Sequence, residues 1–211
     1  MMFLDRKNAG EWLTDSLEKF KDEDVIVLAV PRGGLEIAYN SIKRFGFKWD
    51  LIIPRKIGAP NNKEFAIGAV SVDGSYIINN DYVKMLGIAQ DYIDQEVLEQ
   101  IKEIKRRMEE YRGVDTFPEV KNKTVIIIDD GIATGFTIMA VIKSLKKEEA
   151  RKIILAIPVG PRGIIEEFKE LIDEVICLYI PDEFYAVGSY YVNFQQVTDE
   201  EVFQIMEKLR G

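Results

Sequence analysis

The segment from Val125 to Thr137 constrains the fold of this chain more than any other, because four apolar residues lead directly into two carboxylates. The run from Val125 to Ile128 has no polar alternation, as expected of a parallel strand that helices cover on both faces. Asp129 and Asp130 would lie at its carboxyl end, where parallel strands present ligand-binding groups. The small residues that follow lead into a helix, and such a turn directs backbone N–H groups at an anion. The segment therefore predicts a buried strand that ends at a phosphate site.

Strand-like and helix-like segments alternate along the chain, which predicts an α/β fold with a parallel sheet. The predicted strands are residues 25–30, 50–53, 125–128, 152–157 and 174–179, and the predicted helices are 5–21, 33–45, 91–112, 162–171 and 199–209. Asp73 and Gly74 predict a hairpin that interrupts this order. The chain contains no repeat and no Gly- or Ser-rich linker, so we expect a single domain, residues 1–211, with a small hood formed mainly by residues 181–211.

The composition excludes several classes of chemistry. The chain has 211 residues, a formal net charge of −8 and no histidine. Without histidine, Ser-His-Asp and Cys-His nucleophile systems and His-ligated metal sites are excluded. The acidic balance argues against a nucleic-acid partner. The only cysteine, Cys177, lies in an apolar run and is predicted to be inert core, and it permits no disulfide within the chain.

The N-terminus lacks an apolar signal region and no run approaches about 18 apolar residues, so we expect a cytoplasmic protein with no membrane partner. The predicted helix 91–112 is amphipathic, with a Glu103 to Arg107 pair on its surface. Such a helix is expected to cover the sheet. A homodimer face is the alternative.

The sequence of residues 125–137, Val-Ile-Ile-Ile-Asp-Asp-Gly-Ile-Ala-Thr-Gly-Phe-Thr, resembles the signature of the type I phosphoribosyltransferases, which bind phosphoribosyl pyrophosphate. The resemblance implies a doubly wound parallel sheet with a flexible β-hairpin loop and a small hood. It also implies that Asp129 and Asp130 bind the ribose hydroxyls. The residues implied to surround the 5′-phosphate are Gly131, Ile132, Ala133, Thr134, Gly135, Phe136 and Thr137.

Gly131 departs from the family pattern, which usually has an aliphatic residue there, and we expect it to make the turn more flexible. Two alternatives remain for the whole segment. An Asp-Asp pair after a strand also occurs in receiver domains and in other Mg²⁺ sites, and Thr-Gly-x-Thr is compatible with an ordinary helix cap.

A second turn, Ala29-Val-Pro-Arg-Gly-Gly34, also follows a predicted strand and opens a helix. Its glycines allow the backbone to approach a ligand closely, and an arginine fork can bind two phosphate oxygens at once. The turn resembles the pyrophosphate-binding loop of the same family, which implies that Arg32, Gly33 and Gly34 bind pyrophosphate. The alternative is an ordinary turn with a surface arginine.

The polar segment from Pro54 to Glu64 is punctuated by proline and glycine, and we expect it to be a mobile loop. In the similar family, a flexible loop closes over the pyrophosphate at this place in the chain. The resemblance implies that Arg55 and Lys56 neutralise the pyrophosphate charge, with Lys63 a further candidate. The alternative is a solvated basic loop.

An aromatic segment, from Phe184 to Phe194, resembles the hood of purine phosphoribosyltransferases, in which an aromatic ring stacks on the base. By position the stacking residue is Tyr185, with Phe184 the alternative. Stacking on a base contributes about 1–3 kcal/mol. Equally, these rings are compatible with simple packing of the hood onto the sheet.

Together these resemblances imply a Mg²⁺-dependent transfer of the phosphoribosyl group from phosphoribosyl pyrophosphate to a nitrogen acceptor, a nucleobase, with release of pyrophosphate. The implied catalytic residues are Arg32, Arg55, Lys56, Asp129 and Asp130, and the two aspartates hold Mg²⁺ directly or through water and substrate. Similar enzymes acting on 6-oxopurines carry an acid where this chain has Ala133, which leaves the acceptor open.

The layout as a whole is similar to a group of uncharacterised phosphoribosyltransferases. Two further hypotheses stay open. One is a regulatory module that binds phosphoribosyl pyrophosphate or a nucleotide without turnover. The other is a hydrolase in which the Asp-Asp pair ligates a metal directly.

Overall fold

The computed structural model describes residues 2–211. The chain divides into two compact units. The first unit holds the chain up to Leu51 together with Val120–Thr134 and Glu149–Gly211, and the second holds Ile52–Glu119 and Gly135–Glu148. Residues 181–211, the predicted hood, lie within the first unit. The single-domain organisation stays a prediction.

The elements are numbered along the chain. The strands are β1 (Val25–Ala29), β2 (Lys48–Leu51), β3 (Arg55–Ala59), β4 (Asn62–Val70), β5 (Tyr76–Ile78), β6 (Thr124–Ile128), β7 (Lys152–Val159) and β8 (Glu174–Tyr179). The helices are α1 (Arg6–Leu17), α2 (Gly33–Phe45), α3 (Asn80–Leu86), α4 (Gln90–Arg112), α5 (Phe136–Lys147), α6 (Arg162–Leu171) and α7 (Asp199–Arg210). Short 3-10 turns span Glu18–Phe20 and Val187–Tyr190.

The first unit is built on a parallel sheet with the strand order β2-β1-β6-β7-β8. Every residue of β1 and β6 is buried, which explains why their sequences lack polar alternation. Helix α2 packs against β1 and β6, and it also contacts α1 and α7. The predicted α/β fold with a parallel sheet is confirmed. The predicted strand 50–53 lies two residues too late, because the ladder with β1 ends at Leu51.

The second unit is built on an antiparallel sheet of β3, β4 and β5, which α4 and α5 contact. The predicted hairpin is confirmed: β4 pairs with β5, and Gly74 adopts a φ of 82° between them. The carboxylate of Asp73 in this turn accepts hydrogen bonds from Ser144 Oγ at 2.6 Å and Lys147 Nζ at 3.1 Å. These bonds connect the hairpin to α5.

The segment from Pro54 to Glu64 was predicted to be a mobile loop, and the family resemblance implied a flexible β-hairpin loop. It contains all of β3 and the start of β4, paired in an antiparallel ladder with register shifts next to Gly58. A Cβ atom at Gly58 would lie 2.4 Å from the carbonyl oxygen of Lys63, so glycine permits the tight turn of the ladder. Mobility of this hairpin stays a prediction. No helix within residues 2–211 is both long and apolar enough to cross a bilayer.

Candidate functional site

The two predicted phosphate-binding turns of the first unit meet at the carboxyl ends of β1 and β6. These strands are neighbours, but β1 leads on to β2 at one side of the sheet and β6 leads on to β7 at the other. Such a reversal of strand order opens a crevice in which parallel α/β sheets bind ligands. Val30 N donates a 2.9 Å hydrogen bond to the carbonyl oxygen of Ile128. The turn after β1 therefore begins beside the Asp129-Asp130 pair.

The two glycines of the first turn are required by close packing. A Cβ atom at Gly33 would lie 2.1 Å from Oδ2 of Asp130, and one at Gly34 would lie 2.5 Å from the carbonyl oxygen of Ile128. The Pro31–Arg32 peptide bond is cis. Arg32 is half-buried, and its Nη1 lies 3.5 Å from Oδ1 of Asp199. The contacts of Gly33 and Gly34 therefore hold this turn directly against Asp130 and the end of β6.

The two acidic side chains are held by different contacts. Asp129 Oδ1 accepts a 2.8 Å hydrogen bond from the main-chain N–H of Asp130. Asp130 Oδ2 accepts a 2.8 Å hydrogen bond from Arg6 Nε, and Tyr191 Oη donates to the main-chain oxygen of Asp130 at 2.6 Å. Burial raises the pKa of the Asp130 carboxyl, while the charge and hydrogen bond of Arg6 oppose that shift. Asp130 is therefore fixed at its side chain and its backbone.

Arg6 is a site residue that was not predicted from the sequence. It opens α1 and is 7% exposed, and its Nη1 donates to the carbonyl oxygen of Gln195 at 2.7 Å. Its guanidinium carbon lies 3.9 Å from the ring centroid of Phe194, a cation–π distance. One signal was available in the sequence, since a positive charge in the first turn of a helix opposes the helix dipole and suggests a partner elsewhere.

Gly131 lies at a crowded point of the loop, and the expectation that it adds flexibility stays a prediction. Its φ is 152°, a value that side chains rarely adopt. A Cβ atom there would lie 2.7 Å from Cγ1 of Val187 and 3.0 Å from Cγ1 of Val159. Gly131 is required because both the backbone angle and the surrounding side chains exclude anything larger.

The residues of the predicted phosphate loop differ in burial and in hydrogen bonding. Ile132 is buried, and its N–H donates to the carbonyl oxygen of Val159 at 3.0 Å, so this amide serves the fold. Ala133 and Thr134 are exposed.

The last residues of this loop, Gly135, Phe136 and Thr137, belong to the second unit. Gly135 has a φ of 75° and precedes α5, whose N-terminus receives no side-chain cap from residues 2–211. The first amides of a helix have no partner within it, and an uncapped N-terminus is suited to an anion.

The basic residues of the β3–β4 hairpin differ in their surroundings within the second unit. Arg55 Nε donates to Gln100 Oε1 at 2.7 Å, and burial together with the charge of Arg107 lowers the pKa of Arg55. Lys56 is exposed. Lys63 forms an ion pair with the buried Glu96. Because its charge is already paired, Lys63 is a poorer candidate for pyrophosphate than predicted, whereas Lys56 has the exposure such a role needs.

The two predicted base-stacking residues also differ. Tyr185 is 78% exposed, and its Oη donates to Glu183 at 2.8 Å. The ring of Phe184 stacks on Tyr190, with centroids 5.5 Å apart, and Tyr190 Oη donates to the carbonyl oxygen of Glu183 at 2.7 Å. Phe184 is thus used in packing, and Tyr185 is the ring that remains open to a ligand.

A family profile described as the phosphoribosyl transferase domain matches residues 4–195. The chain belongs to this family. A Mycobacterium tuberculosis H37Rv protein, provisionally named phosphoribosyl transferase Rv0571c, is 36% identical over 208 residues, which are 98% of this chain and 47% of that protein. The crystal structure of TT1426 from Thermus thermophilus has a TM-score of 0.81 and 36% identity, with 100% of both chains covered.

A further relative, the transcriptional regulator GfcR of Methanosphaera stadtmanae, is 30% identical over 103 residues. The match covers 48% of this chain and 52% of the regulator. The chain spans about half the length of the curated relatives it matches.

Proposed function

We propose that the chain transfers the 5-phosphoribosyl group of phosphoribosyl pyrophosphate to a nitrogen acceptor, a nucleobase, in a Mg²⁺-dependent reaction that releases pyrophosphate. One observation carries this proposal: Gly33 of the first turn lies against the carboxylate of Asp130 with no room for a Cβ atom. The acid pair proposed to bind the ribose diol and the turn proposed to bind pyrophosphate are therefore in contact at a switch point of the sheet. This combination matches a substrate in which a diphosphate is attached to C1 of a ribose, next to the 2′ and 3′ hydroxyls.

In the proposed reaction the bond between ribose C1 and the pyrophosphate oxygen breaks, and the electron pair leaves with pyrophosphate. The acceptor nitrogen forms the new bond to C1, and its proton is released. Asp129 and Asp130 bind the ribose hydroxyls, and their negative charge favours the positive charge that develops on the ribose ring. Arg32, which belongs to the first unit, is proposed to neutralise the charge of the departing pyrophosphate. Arg55 and Lys56 are proposed for the same task, since both are basic groups on the β3–β4 hairpin.

The 5′-phosphate is proposed to bind to the loop that follows the acid pair. Ala133 and Thr134 are exposed there, whereas the amide of Ile132 is engaged by Val159. The uncapped start of α5 supplies main-chain donors from Phe136 and Thr137. We therefore assign the phosphate to Gly131 and Ala133–Thr137, with Ile132 as a buried support.

The acid pair fits a magnesium ion that is held mainly by substrate and water. Carboxylate oxygens are ligands that Mg²⁺ prefers, and Mg²⁺ usually takes only one or two of them beside phosphate oxygens. Asp130 Oδ2 is already bonded to Arg6, so Asp130 is suited to contact the ion through water or a ribose hydroxyl. When bound, the ion supplies positive charge to the departing pyrophosphate.

A panel of nucleobases incubated with phosphoribosyl pyrophosphate and Mg²⁺ tests the proposal, with pyrophosphate release as the signal. Turnover with one base, lost in Asp129→Asn, supports it. Tyr185→Ala is expected to raise the KM of that base by about 10-fold, because a stacking ring is removed. Phe184→Ala is a weaker test, since Phe184 packs on Tyr190.

A second candidate is a module that binds phosphoribosyl pyrophosphate or a nucleotide and regulates without turnover. The relative that supports it is GfcR, whose name is that of a transcriptional regulator and which aligns with about half of this chain. Tight binding of phosphoribosyl pyrophosphate with no pyrophosphate release on any base selects this candidate. Absence of binding, together with phosphatase activity that needs Asp129, rejects both.

The cellular location, the partners and the oligomeric state of the protein are also proposals. We expect it in the cytoplasm, without a nucleic-acid partner. A homodimer through α4 agrees with the 60% exposure of Leu98, an apolar side chain on that helix. Sedimentation of the wild type and Leu98→Glu tests the dimer: loss of a dimer in the variant supports it, and a monomeric wild type rejects it.

A further inference from the structure

We propose that Arg6 is a positioning residue that holds the carboxylate of Asp130 in the orientation needed to bind the ribose, an inference that rests on the proposed function. The two residues are 124 positions apart in the sequence, yet Arg6 Nε lies 2.8 Å from Asp130 Oδ2. Their side chains are 8% and 18% exposed. The contact is therefore a largely buried ion pair directly at the site.

Stability alone is a weak explanation for such a pair. Removing two charges from water is costly, and well-packed apolar residues of similar size often serve a fold as well or better. Arg6 also carries its charge at the first position of α1, where the helix dipole disfavours it. A buried pair with these two costs, formed by a carboxylate at the carboxyl end of β6 that is proposed to bind ribose, is better explained by what it does to that carboxylate.

The guanidinium is itself fixed by three contacts. Nε bonds to Asp130, Nη1 donates to the carbonyl oxygen of Gln195 at 2.7 Å, and the group lies over the ring of Phe194 at 3.9 Å. A flexible lysine at this position would have neither the fork nor the flat face that these contacts use. Arg6 is therefore held as a rigid support rather than extended as a ligand.

The contact also distinguishes the two oxygens of Asp130. Oδ2 faces Arg6 and the backbone of Gly33, so Oδ1 is the oxygen that we assign to a ribose hydroxyl. The main chain of Asp130 is fixed by the hydroxyl of Tyr191. The carboxylate of Asp129 is oriented differently, by a bond that Oδ1 accepts from its neighbour's N–H. The proposed action of Arg6 therefore concerns Asp130.

Calorimetry of phosphoribosyl pyrophosphate with Mg²⁺ tests the assignment, because binding does not require an identified acceptor. We expect Arg6→Met to weaken binding by about 10- to 100-fold, the range of a lost hydrogen bond to a charged group. Arg6→Lys keeps the charge but not the fork, and it should lie between wild type and Arg6→Met. Arg44→Met is the matched control, since it breaks an exposed arginine–aspartate pair with Asp15 in the same unit. It should bind as wild type does.

A double-mutant comparison separates positioning from general damage to the fold. If Arg6 acts through Asp130, Arg6→Met should have little further effect in an Asp130→Asn background, but its full effect in an Asp129→Asn background. Thermal unfolding identifies any variant that does not fold. If Arg6→Met is such a variant, Arg6→Lys is used in the same comparison.

The outcomes distinguish this assignment from the proposed function. Wild-type affinity in Arg6→Met, or equal losses in both aspartate backgrounds, overturns the role of Arg6 while the proposed function stands. Failure of the wild-type chain to bind phosphoribosyl pyrophosphate rejects both. Where turnover is measured, the KM of phosphoribosyl pyrophosphate should rise in Arg6→Met while the KM of the acceptor stays constant. A rise of both KM values by the same factor contradicts the assignment.

Discussion

Gly33 and Asp130 are so close that a Cβ atom on the first would lie 2.1 Å from Oδ2 of the second. The same Cβ atom would lie 2.7 Å from Nε of Arg6. The turn after β1 and the loop after β6 are therefore in direct contact, at a distance that only glycine allows. This contact fixes the separation between the groups proposed to bind pyrophosphate and those proposed to bind ribose.

Replacement of Gly33 by alanine should damage the site and the fold together. Either Asp130 or Arg6 must move, and overpacking of this kind costs about 1–3 kcal/mol of unfolding free energy. Calorimetry should also detect weaker binding of phosphoribosyl pyrophosphate. Gly163→Ala is the control: a Cβ atom at this position in α6 would meet no atom within 4 Å, so helix propensity should leave stability equal or slightly higher. Gly33→Ala with unchanged binding would contradict the contact.

Gly131→Ala should be more harmful than alanine at an ordinary left-handed glycine. Both the φ of 152° and the side chains of Val187 and Val159 oppose a Cβ atom, which suggests a loss of about 2 kcal/mol or more. Gly46 has a φ of 65° with open space around it, so Gly46→Ala reports the backbone cost alone. Chemical denaturation measures both variants. Equal losses would mean that Val187 and Val159 do not confine Gly131.

Lys63 is predicted to stabilise the second unit through Glu96. Its removal in Lys63→Met leaves the buried carboxylate of Glu96 with the hydrogen bond from Gln100 but without its cation, and we expect a loss of about 1 kcal/mol. Lys56→Met changes an exposed lysine of the same hairpin and should alter stability by less than about 0.5 kcal/mol. Thermal unfolding of the two variants decides the matter. Equal stability of the two variants would show that the Lys63–Glu96 pair contributes nothing.

Cys177 should react slowly with alkylating reagents at neutral pH. Burial raises the pKa of its thiol to about 11, so the reactive thiolate is a small fraction of the total below that pH. Between pH 7 and pH 10 the rate of reaction with iodoacetamide should rise by about 10-fold per pH unit without a plateau. The unfolded chain, in which the pKa returns to about 8.5, is the control. A plateau near pH 8 in the folded protein would contradict the raised pKa.

The parallel sheet and the positions of the two turns at its edge could be predicted because their signals are local. The apolar runs of β1 and β6 require burial on both faces. Asp129 and Asp130 follow β6 directly, and Arg32 comes three residues after the end of β1. The bounds of α2, α6 and β8 also agree with the predictions, since the apolar pattern that marks each element lies within its own segment.

Other features could not be predicted, because they depend on residues far apart in the sequence. Arg6 contacts Asp130, which is 124 positions away in the sequence, and no periodicity links the two residues. The crowding around Gly131 depends on Val187, which lies 56 positions further on (187 − 131). The polar segment from Pro54 to Glu64 forms a ladder because β4 pairs with it, although its composition suggests a loop.

The central claim is that Asp129 and Asp130 bind the ribose of phosphoribosyl pyrophosphate, and titration calorimetry tests it most directly. In the presence of Mg²⁺, each wild-type chain should bind one molecule of phosphoribosyl pyrophosphate. Asp129→Asn and Asp130→Asn should each weaken binding by about 10-fold or more, because a charged hydrogen-bond acceptor is lost. Asp24→Asn, at an exposed ion pair with Lys48, should leave binding unchanged. No binding by the wild-type chain, or equal affinity in all four proteins, would contradict the account.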